Sequence, residues 1–193
     1  TQTGGGGGET VNASVFTTTG DNAIVDWVLV ELRNATTPSQ VMSTRCGLLQ
    51  KDGDIVGPDG VSSLVLSALP GNYYVAVRHR NHLGIMTGSA VALSGSAASI
   101  DFRQSATPTW GTQARKDLGG LWGMWCGNVF RDGTVSSLKY TGSSNDRDPI
   151  LTAVGSTTPN NSVSNAYDRR DTNLDGVIKY TGSANDRDII LTN

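Results

Sequence analysis

The chain has 193 residues, enough for one large domain or two small ones with a sizeable core. The net charge of −2 and the absence of a basic run give no reason to expect a nucleic-acid partner. Glycine is frequent, at 24 residues, and charged residues make up only 17 %, which favours a β-rich extracellular protein over a helical cytosolic enzyme. No apolar run approaches the roughly 18 residues that a membrane-spanning helix needs, and no signal peptide is visible.

Residues 1–10 are predicted to form a flexible, glycine-rich tail. The five consecutive glycines from Gly4 to Gly8 cannot form the interior of a helix or strand on their own. In the alternative interpretation, this segment is an arm that reaches a neighbouring subunit and delivers Val11–Thr19 as a strand.

Residues 11–105 are predicted to form an antiparallel β-sandwich, because short apolar or β-branched runs alternate with turn signals. Typical turn signals are Lys51-Asp-Gly and Gly57-Pro-Asp-Gly. The predicted strands are Val11–Thr19, Ile24–Leu32, Val41–Leu49, Leu64–Leu66, Tyr73–Val77, Leu83–Thr87, Val91–Leu93 and Ile100–Phe102.

The strand Ile24–Leu32 is apolar on both faces, whereas a sandwich strand with one wet face should alternate. We therefore expect its outer face to be covered by the C-terminal module, with another subunit as the alternative.

The strand that begins at Tyr73 is followed by a basic run. Alternation places Arg78 and Arg80 on one face, close to His79 and His82. This face is either solvated or a site for a sugar acid or a carboxylate patch. No nucleophile motif accompanies the histidines, so we expect no catalytic role.

Residues 106–120 are predicted to connect the two halves of the chain. Trp110, Trp122 and Trp125 cluster there together with Met124. They are expected to pack against the β domain, and a sugar-stacking platform is the alternative.

The chain has two cysteines, Cys46 and Cys126, one in each half. Three states remain open: two buried thiols, a disulfide that ties the halves together, and an intermolecular link. Neither spacing resembles a zinc site.

The strongest motif is Asp171-Thr-Asn-Leu-Asp-Gly-Val, which has the first half of an EF-hand-type calcium loop. The side chains of Asp171, Asn173 and Asp175 stand at positions 1, 3 and 5. Gly176 permits the sharp turn at position 6, and the carbonyl of Val177 is the next expected ligand.

A second copy precedes this motif. Residues 139–152 match residues 179–192 at 12 of 14 positions, and Asn128 stands where Asp171 stands in the later copy. Duplication strengthens the prediction of a metal site. Position 12 of the later loop is Gly182, so the closing acid is postponed to Asp186 or Asp188, behind a predicted helix cap at Asn185. The candidate calcium ligands are Asp171, Asn173, Asp175, Val177, Asp186 and Asp188 in the second copy, and Asn128, Phe130, Asp132, Thr134, Asp146 and Asp148 in the first.

The duplicated Asp171-x-Asn-x-Asp-Gly-Val motif, with a short helix after each copy, resembles the dockerin type I repeat. Together with Ile24-Val-Asp-Trp-Val-Leu-Val-Glu-Leu-Arg and Pro70-Gly-Asn-Tyr-Tyr-Val-Ala-Val-Arg, the paired Lys-Tyr-Thr-Gly-Ser-x-Asn-Asp-Arg-Asp is similar to a hemagglutinin-like or dockerin-like module of large secreted surface proteins of Bacteroidota-type bacteria. The resemblance covers most of the chain from Val11 onward. It implies an extracellular, calcium-binding, non-catalytic module.

The expected architecture is thus mainly β, with an antiparallel β-sandwich at 11–105, a connection at 106–120 and a duplicated calcium-loop and helix module at 121–193. We expect a structural or adhesive protein, secreted or at the cell surface, that self-associates, for example into a filament. The alternative is a binding module that recognises a protein receptor or a glycan. No Ser/His/Asp or Cys/His arrangement points to an enzyme.

Overall fold

The computed structural model describes residues 8–131 and 137–193, and within these ranges the protein is mainly β. All of its strand pairs are antiparallel. The strands are β1 Ile24–Asn34, β2 Val41–Gln50, β3 Ile55–Val56, β4 Gly71–Arg78, β5 Ile85–Met86, β6 Val91–Leu93, β7 Lys116–Asp117, β8 Trp122–Gly123, β9 Ser162–Ser164 and β10 Val177–Lys179. The α-helices are α1 Arg147–Val154 and α2 Asp186–Leu191, and the 3-10 helices are Ala13–Thr17 and Gly20–Asn22.

The first six strands form one sheet with the order β3-β2-β1-β4-β5, and β6 also pairs with β4. Strand β1 is central, with Trp27 opposite Leu48 of β2 and Leu32 opposite Val75 of β4. The pairs β7–β8 and β9–β10 form two-stranded sheets. The prediction of a β-rich, antiparallel fold is confirmed.

Both faces of β1 are buried, since Val28, Leu29 and Val30 are consecutive and at most 6 % exposed. A register shift between Ile24 and Asp26 marks a bulge, which turns Ile24 and Trp27 toward one cluster. Regular alternation along a strand would place residues three apart, such as these two, on opposite faces.

The predicted strand Val11–Thr19 is wrong, because the segment contains the 3-10 helix Ala13–Thr17 instead. Asn12 explains the difference, since its Oδ1 accepts the N–H of Ser14 at 3.0 Å and caps the first turn. Val15 then packs against Leu48 and Val56. Leu64–Leu66 and Ile100–Phe102 are not strands either, whereas the two-residue strand β3 was too short to predict.

The chain divides into two compact units. The first unit consists of the chain up to His79 and of Gly84–Gly123. The second unit consists of Arg80–Leu83 and Met124–Asn193. The predicted connection, 106–120, therefore belongs to the first unit, and the predicted start of the C-terminal module at 121 lies three residues early. The core of the second unit contains Val129, Ile150, Val154, Ile178 and Ile190.

Cys46 and Cys126 are both thiols, which overturns the disulfide alternative for this structure. Cys46 is buried in the first unit. The Sγ of Cys126, in the second unit, donates to the carbonyl of Thr172 at 3.1 Å.

Within residues 8–131 and 137–193, no helix is both long and apolar enough to cross a bilayer.

Candidate metal centre

The second loop is held closed by one buried carboxylate, Asp186, which is fully buried at the start of α2. Its Oδ1 accepts the N–H of Thr172 at 2.6 Å and, more weakly, that of Asn173 at 3.4 Å. Its Oδ2 accepts the N–H of Lys179 at 2.7 Å. Asp186 therefore joins the front of the loop to β10 and α2.

Asp146 does the same in the first copy. Its Oδ1 accepts the N–H groups of Val129 and Phe130, both at 2.8 Å, and its Oδ2 accepts the N–H of Lys139 at 2.7 Å. It is 1 % exposed. We call each set of three amide bonds to one carboxylate the bracket of its copy.

Burial raises the pKa of Asp186 above its ordinary value, while the amides of Lys179, Thr172 and Asn173 lower it and the charge of Asp171 raises it. The pKa of Asp146 is also raised, again chiefly by burial, against the amide donors of its bracket. The two brackets thus share their electrostatics as well as their geometry.

An asparagine precedes the helix behind each bracket: Asn185 is the N-cap of α2, and Asn145 lies one residue before Asp146, the N-cap of α1. The Oδ1 of Asn185 accepts the N–H of Asp188 at 2.9 Å, as predicted, and Asn145 makes the same bond to Asp148 at 2.9 Å. Each asparagine also donates to the carbonyl three residues earlier at 2.6 Å. The two asparagines therefore make the same hydrogen bonds, although α1 begins one residue later than α2 relative to them.

Each copy also carries an arginine over a tyrosine. The guanidinium carbon of Arg187 lies 5.2 Å from the ring centroid of Tyr180, and that of Arg147 lies 5.3 Å from Tyr140. The acids that follow, Asp188 and Asp148, pair with these arginines at the surface.

The front of the second loop is built from side chains that turn back onto their own backbone. The N–H of Asp175 donates to the Oδ1 atoms of both Asp171 (3.1 Å) and Asn173 (3.0 Å). The N–H of Val177 donates to Asp175 Oδ1 at 2.9 Å. Gly176 has a φ of +81°, the left-handed conformation that glycine adopts without strain, and its N–H donates to Asp171 Oδ2 at 3.1 Å.

These bonds leave lone pairs on all three side chains, since a carboxylate accepts about four hydrogen bonds and an amide oxygen two. The oxygens of Asp171 and Asn173 converge on one N–H, so the side chains of positions 1 and 3 face the same side of the turn. Hard oxygen donors from one short loop are the ligands that calcium prefers. The donor set of Asp171, Asn173, Asp175 and the Val177 carbonyl therefore fits that ion.

A distant segment completes this loop. Arg80 and Asn81, of the second unit, are 5 % and 0 % exposed. The Nη2 of Arg80 lies 3.6 Å from Asp171 Oδ2, and the Nδ2 of Asn81 donates to the carbonyl of Asp171 at 2.6 Å. Burial raises the pKa of Asp171, while the Gly176 amide and the Arg80 charge lower it and the Asp175 charge raises it.

The first loop differs at its front. Asn128 is 7 % exposed, and within the described residues its Oδ1 has no hydrogen-bond partner. A buried amide oxygen without a partner is uncommon, and a cation would satisfy it. Phe130 contributes its N–H to the bracket. Asp132 and Thr134 lie outside the described residues.

The two candidate closing acids have other partners. Asp186 spends both oxygens on its bracket, and Asp188 accepts from Asn185 and Arg187. The pKa of Asp188 is lowered, first by Asn185 and then by Arg187. Among the described residues, no three His, Cys, Asp or Glu side chains form a metal-holding group by themselves. A calcium site here would thus rely on Asn173 and a backbone carbonyl.

The predicted basic face beyond Tyr73 does not form. Strand β4 ends at Arg78, which is half-exposed and pairs with Glu31 at 3.1 Å. His79 pairs with Asp26 at 3.0 Å, with side chains 4 % and 3 % exposed. Arg80 is buried in the second unit, against the loop of Asp171.

The tryptophans are divided between the units, with Trp110 and Trp122 in the first and Trp125 in the second. Trp110 is 51 % exposed and meets Tyr74 edge to face at 5.3 Å. Trp122 lies under the guanidinium of Arg115 at 5.1 Å.

Sequence reasoning missed Arg80 and Asn81, which stand 91 and 90 residues before Asp171. The buried Asn81 carried no signal in a single sequence, and Arg80 was assigned to the continuation of a strand.

Comparisons of the chain with protein-family models, with curated proteins and with solved structures find no match. The geometry of the loop module is therefore the basis on which function is argued.

Proposed function

We propose that the protein is a non-catalytic, calcium-stabilised structural or adhesive module of the cell exterior, with calcium bound by Asp171, Asn173, Asp175 and the carbonyl of Val177. The observation that carries the proposal is that oxygens of the first three side chains all accept N–H groups of one short turn. Oxygen ligands at positions 1, 3, 5 and 7 are those of an EF-hand-type loop.

The rest of the module supports a structural role for the ion. The brackets of Asp146 and Asp186 fix the frame of each copy through backbone amides, so the side-chain oxygens of Asp171, Asn173 and Asp175 are not used by the brackets. An ion at the front of the loop would bind the native state and therefore stabilise it by mass action.

The finer architecture is part of the same proposal. Burial of both faces of β1 supports a second layer over the six-stranded sheet, as in a sandwich. The matching brackets, caps and arginine–tyrosine stacks support a dockerin-like duplication. Extracellular calcium is millimolar, which suits a loop with only two carboxylates.

A non-catalytic role is supported by the partners of the titratable groups. His79 and Asp26 are both buried and paired with each other, so the pair is not presented to a substrate. Among the described acids of the second unit, Asp186, Asp188 and Asp168 hold amides, an asparagine and an arginine respectively.

The test is a calcium titration followed by calorimetry and by thermal melting in calcium and in chelator. We expect binding and a higher melting temperature with calcium. Asp175→Asn keeps the Oδ1 acceptor for Val177 but removes a charge, so binding should weaken. Asp59→Asn is the matched control, because Asp59 also accepts amides of its own turn, from Val61 and Ser62, in the first unit. Identical melting curves in calcium and chelator would sink the proposal.

Self-association into a filament is the proposed use of the module. Light scattering and electron microscopy with and without calcium test this part. Protein that stays monomeric in both conditions contradicts it, even when calcium binds.

The second candidate function is a receptor for a glycan or another protein. The observation that favours it is the half-exposed Trp110, whose ring is held against Tyr74 and is available for stacking. A glycan array and a pull-down with the folded, calcium-loaded protein test it, with Trp110→Ala as the variant. Binding that survives this substitution would place the receptor site elsewhere.

A further inference from the structure

We infer that Arg80 is a built-in counterion of the Asp171 loop, which competes with calcium for Asp171 and thereby sets the calcium affinity of the loop. The inference rests on the proposed function, since it concerns the same loop. It assigns a role in that function to a residue 91 positions away in the sequence.

Arg80 is held in place by three kinds of contact. Its Nη1 donates to the carbonyl of Asp168, and its guanidinium carbon lies 4.6 Å from the ring centroid of Tyr167. Its Nη2 is 3.6 Å from Asp171 Oδ2. With 5 % exposure, the side chain is buried.

The backbone on either side is fixed as well. Asn81, which is fully buried, donates its Nδ2 to the carbonyl of Asp171 at 2.6 Å. Its own carbonyl accepts the N–H groups of Gly127 and Asn128, both at 2.8 Å. Arg80 therefore cannot swing away from Asp171 without breaking a network that also holds the first copy.

The charge of Asp171 explains why this arrangement exists. The carboxylate is 1 % exposed, and a buried charge is costly unless it is paired. A guanidinium stays protonated at every physiological pH, so Arg80 supplies a permanent positive charge when no metal is present. The ion pair is long, at 3.6 Å, and leaves room for Asp171 to accept from Gly176 and Asp175 at the same time.

Calcium at the loop would meet that same positive charge. Two cations that share one carboxylate repel each other, and the repulsion is weakly screened in a buried site. The bound ion must therefore overcome a competitor that is covalently part of the chain. Arg80 stabilises the calcium-free loop and weakens calcium binding. The two effects are linked because the guanidinium and the ion compete for the same carboxylate.

The first copy offers the natural contrast. At the matching position it has Asn128, which is neutral and needs no counterion. The Oδ1 of Asn128 has no partner within the described residues, whereas both oxygens of Asp171 do. The counterion accompanies the charged residue and not the neutral one.

The test is Arg80→Met, which keeps most of the side-chain volume and removes the charge. Calorimetry on the full chain measures the dissociation constant for calcium, and melting in chelator measures the calcium-free protein. We expect calcium to bind about tenfold tighter, within the roughly 5–150-fold range of typical couplings. The melting temperature in chelator should fall at the same time.

A merely structural Arg80 predicts a different pattern, in which the substitution lowers both calcium affinity and stability. Arg80→Lys keeps the charge and should retain an affinity close to that of the parent. Arg170→Met is the matched control: Arg170 is in the same segment but pairs with Asp168, at 2.8 Å, and should leave calcium affinity unchanged. If Arg80→Met does not fold in chelator, its titration is carried out after refolding in millimolar calcium.

The outcomes separate the two proposals. A parent protein that binds calcium, with an Arg80→Met variant that binds it equally or more weakly, overturns the inference and leaves the calcium function standing. Absence of calcium binding by the parent overturns the proposed function. Binding by Arg80→Met alone would then show that the guanidinium has replaced the ion altogether, which supports the competition.

Discussion

In the first copy of the loop module, residue 128 is an asparagine with a buried, unpartnered Oδ1. In the second, residue 171 is an aspartate whose two oxygens accept amides beside the guanidinium of Arg80. Behind these positions the copies agree closely, down to bracket distances of 2.7 Å from Lys139 and Lys179. The two copies share the frame and differ at the front of the loop.

The comparison teaches that the two parts of the module have different jobs. The bracket accepts three backbone N–H groups inside the protein. Without it, these N–H groups would be buried and have no hydrogen-bond acceptor in either copy. The front of the loop tolerates either a neutral or a charged residue, provided that the charge is balanced. Substitutions of equivalent residues in the two copies can separate effects on the stability of the frame from effects on calcium binding.

The largest effect is expected from removal of a bracket. Asp186→Ala and Asp146→Ala each leave three amide N–H groups of a buried region without an acceptor, at about 1–3 kcal/mol apiece. Each variant should lose at least about 3 kcal/mol of unfolding free energy in urea, measured in chelator.

The exposed acids Asp188 and Asp148 serve as controls for these two, and their alanine variants should lose far less. Strongly unequal losses for Asp186→Ala and Asp146→Ala would mean that the brackets are not equivalent.

The next effect concerns the position where the copies differ. Asp171→Asn converts the second copy to the residue of the first, and calcium affinity should fall by roughly tenfold or more because one ligand charge is lost. The new amide group cannot accept the N–H of Gly176, so the calcium-free protein should also melt earlier. Calorimetry and melting curves check the two parts. An unchanged dissociation constant would remove Asp171 from the ligand set.

A smaller and symmetric loss is expected from the helix caps. Asn185→Ala removes the N-cap of α2, and Asn145→Ala removes the same hydrogen bond in front of α1, so each should cost about 1 kcal/mol. Urea unfolding of the two variants and of the double variant checks this. Asn185→Asp keeps the accepting oxygen but loses the donors to the Gly182 carbonyl and to Asp188, so it should restore only part of the stability that Asn185→Ala loses. A loss for only one of the two variants would show that the helix of the other copy does not depend on its asparagine.

The smallest effect is expected in the pH dependence of the unfolding free energy, at acid pH. Before its loop, the second copy has Asp168, which Arg170 bonds at 2.8 Å through both Nε and Nη2, whereas Trp125 and Gly127 stand at the matching places of the first. The pKa of Asp168 is lowered, chiefly by Arg170. Its contribution to stability is therefore present above the ordinary pKa near 3.8 and is lost as the pH falls below that value.

Asp168→Asn should remove this contribution, which for a partly exposed pair is below about 1 kcal/mol. The variant's unfolding free energy should fall less steeply than the parent's below about pH 4. Parallel curves for the two proteins would contradict the assignment.

Local patterns predicted much of the fold and of the loop. Strands β1, β2, β4 and β6 were visible as apolar runs between turn residues, and Asn185 was visible as a cap. These features depend on a few neighbouring residues. The segment Val11–Thr19 failed for the same local reason, since the side chain of Asn12 outweighed the β-branched composition around it.

The features that could not be predicted depend on distant partners. Asp186 was expected to face a metal, but its amide partners include Thr172, 14 residues earlier. Arg80 was assigned to the continuation of the strand that begins at Tyr73, and Asn81 carried no signal; only folding brings them to Asp171. No periodicity in a single chain encodes such a meeting.

The four residues Arg80–Leu83 also determine where the module can be cut from the chain and how it could be transferred to another protein. They belong to the second unit although the chain before and after them belongs to the first. A fragment cut at Met124 would contain both loops yet lack the guanidinium and the amide that hold Asp171. The C-terminal half is therefore not a cassette that can be moved between proteins by its contiguous sequence. To transfer the complete second unit, recombination has to include the β4–β5 loop as well as the C-terminal segment.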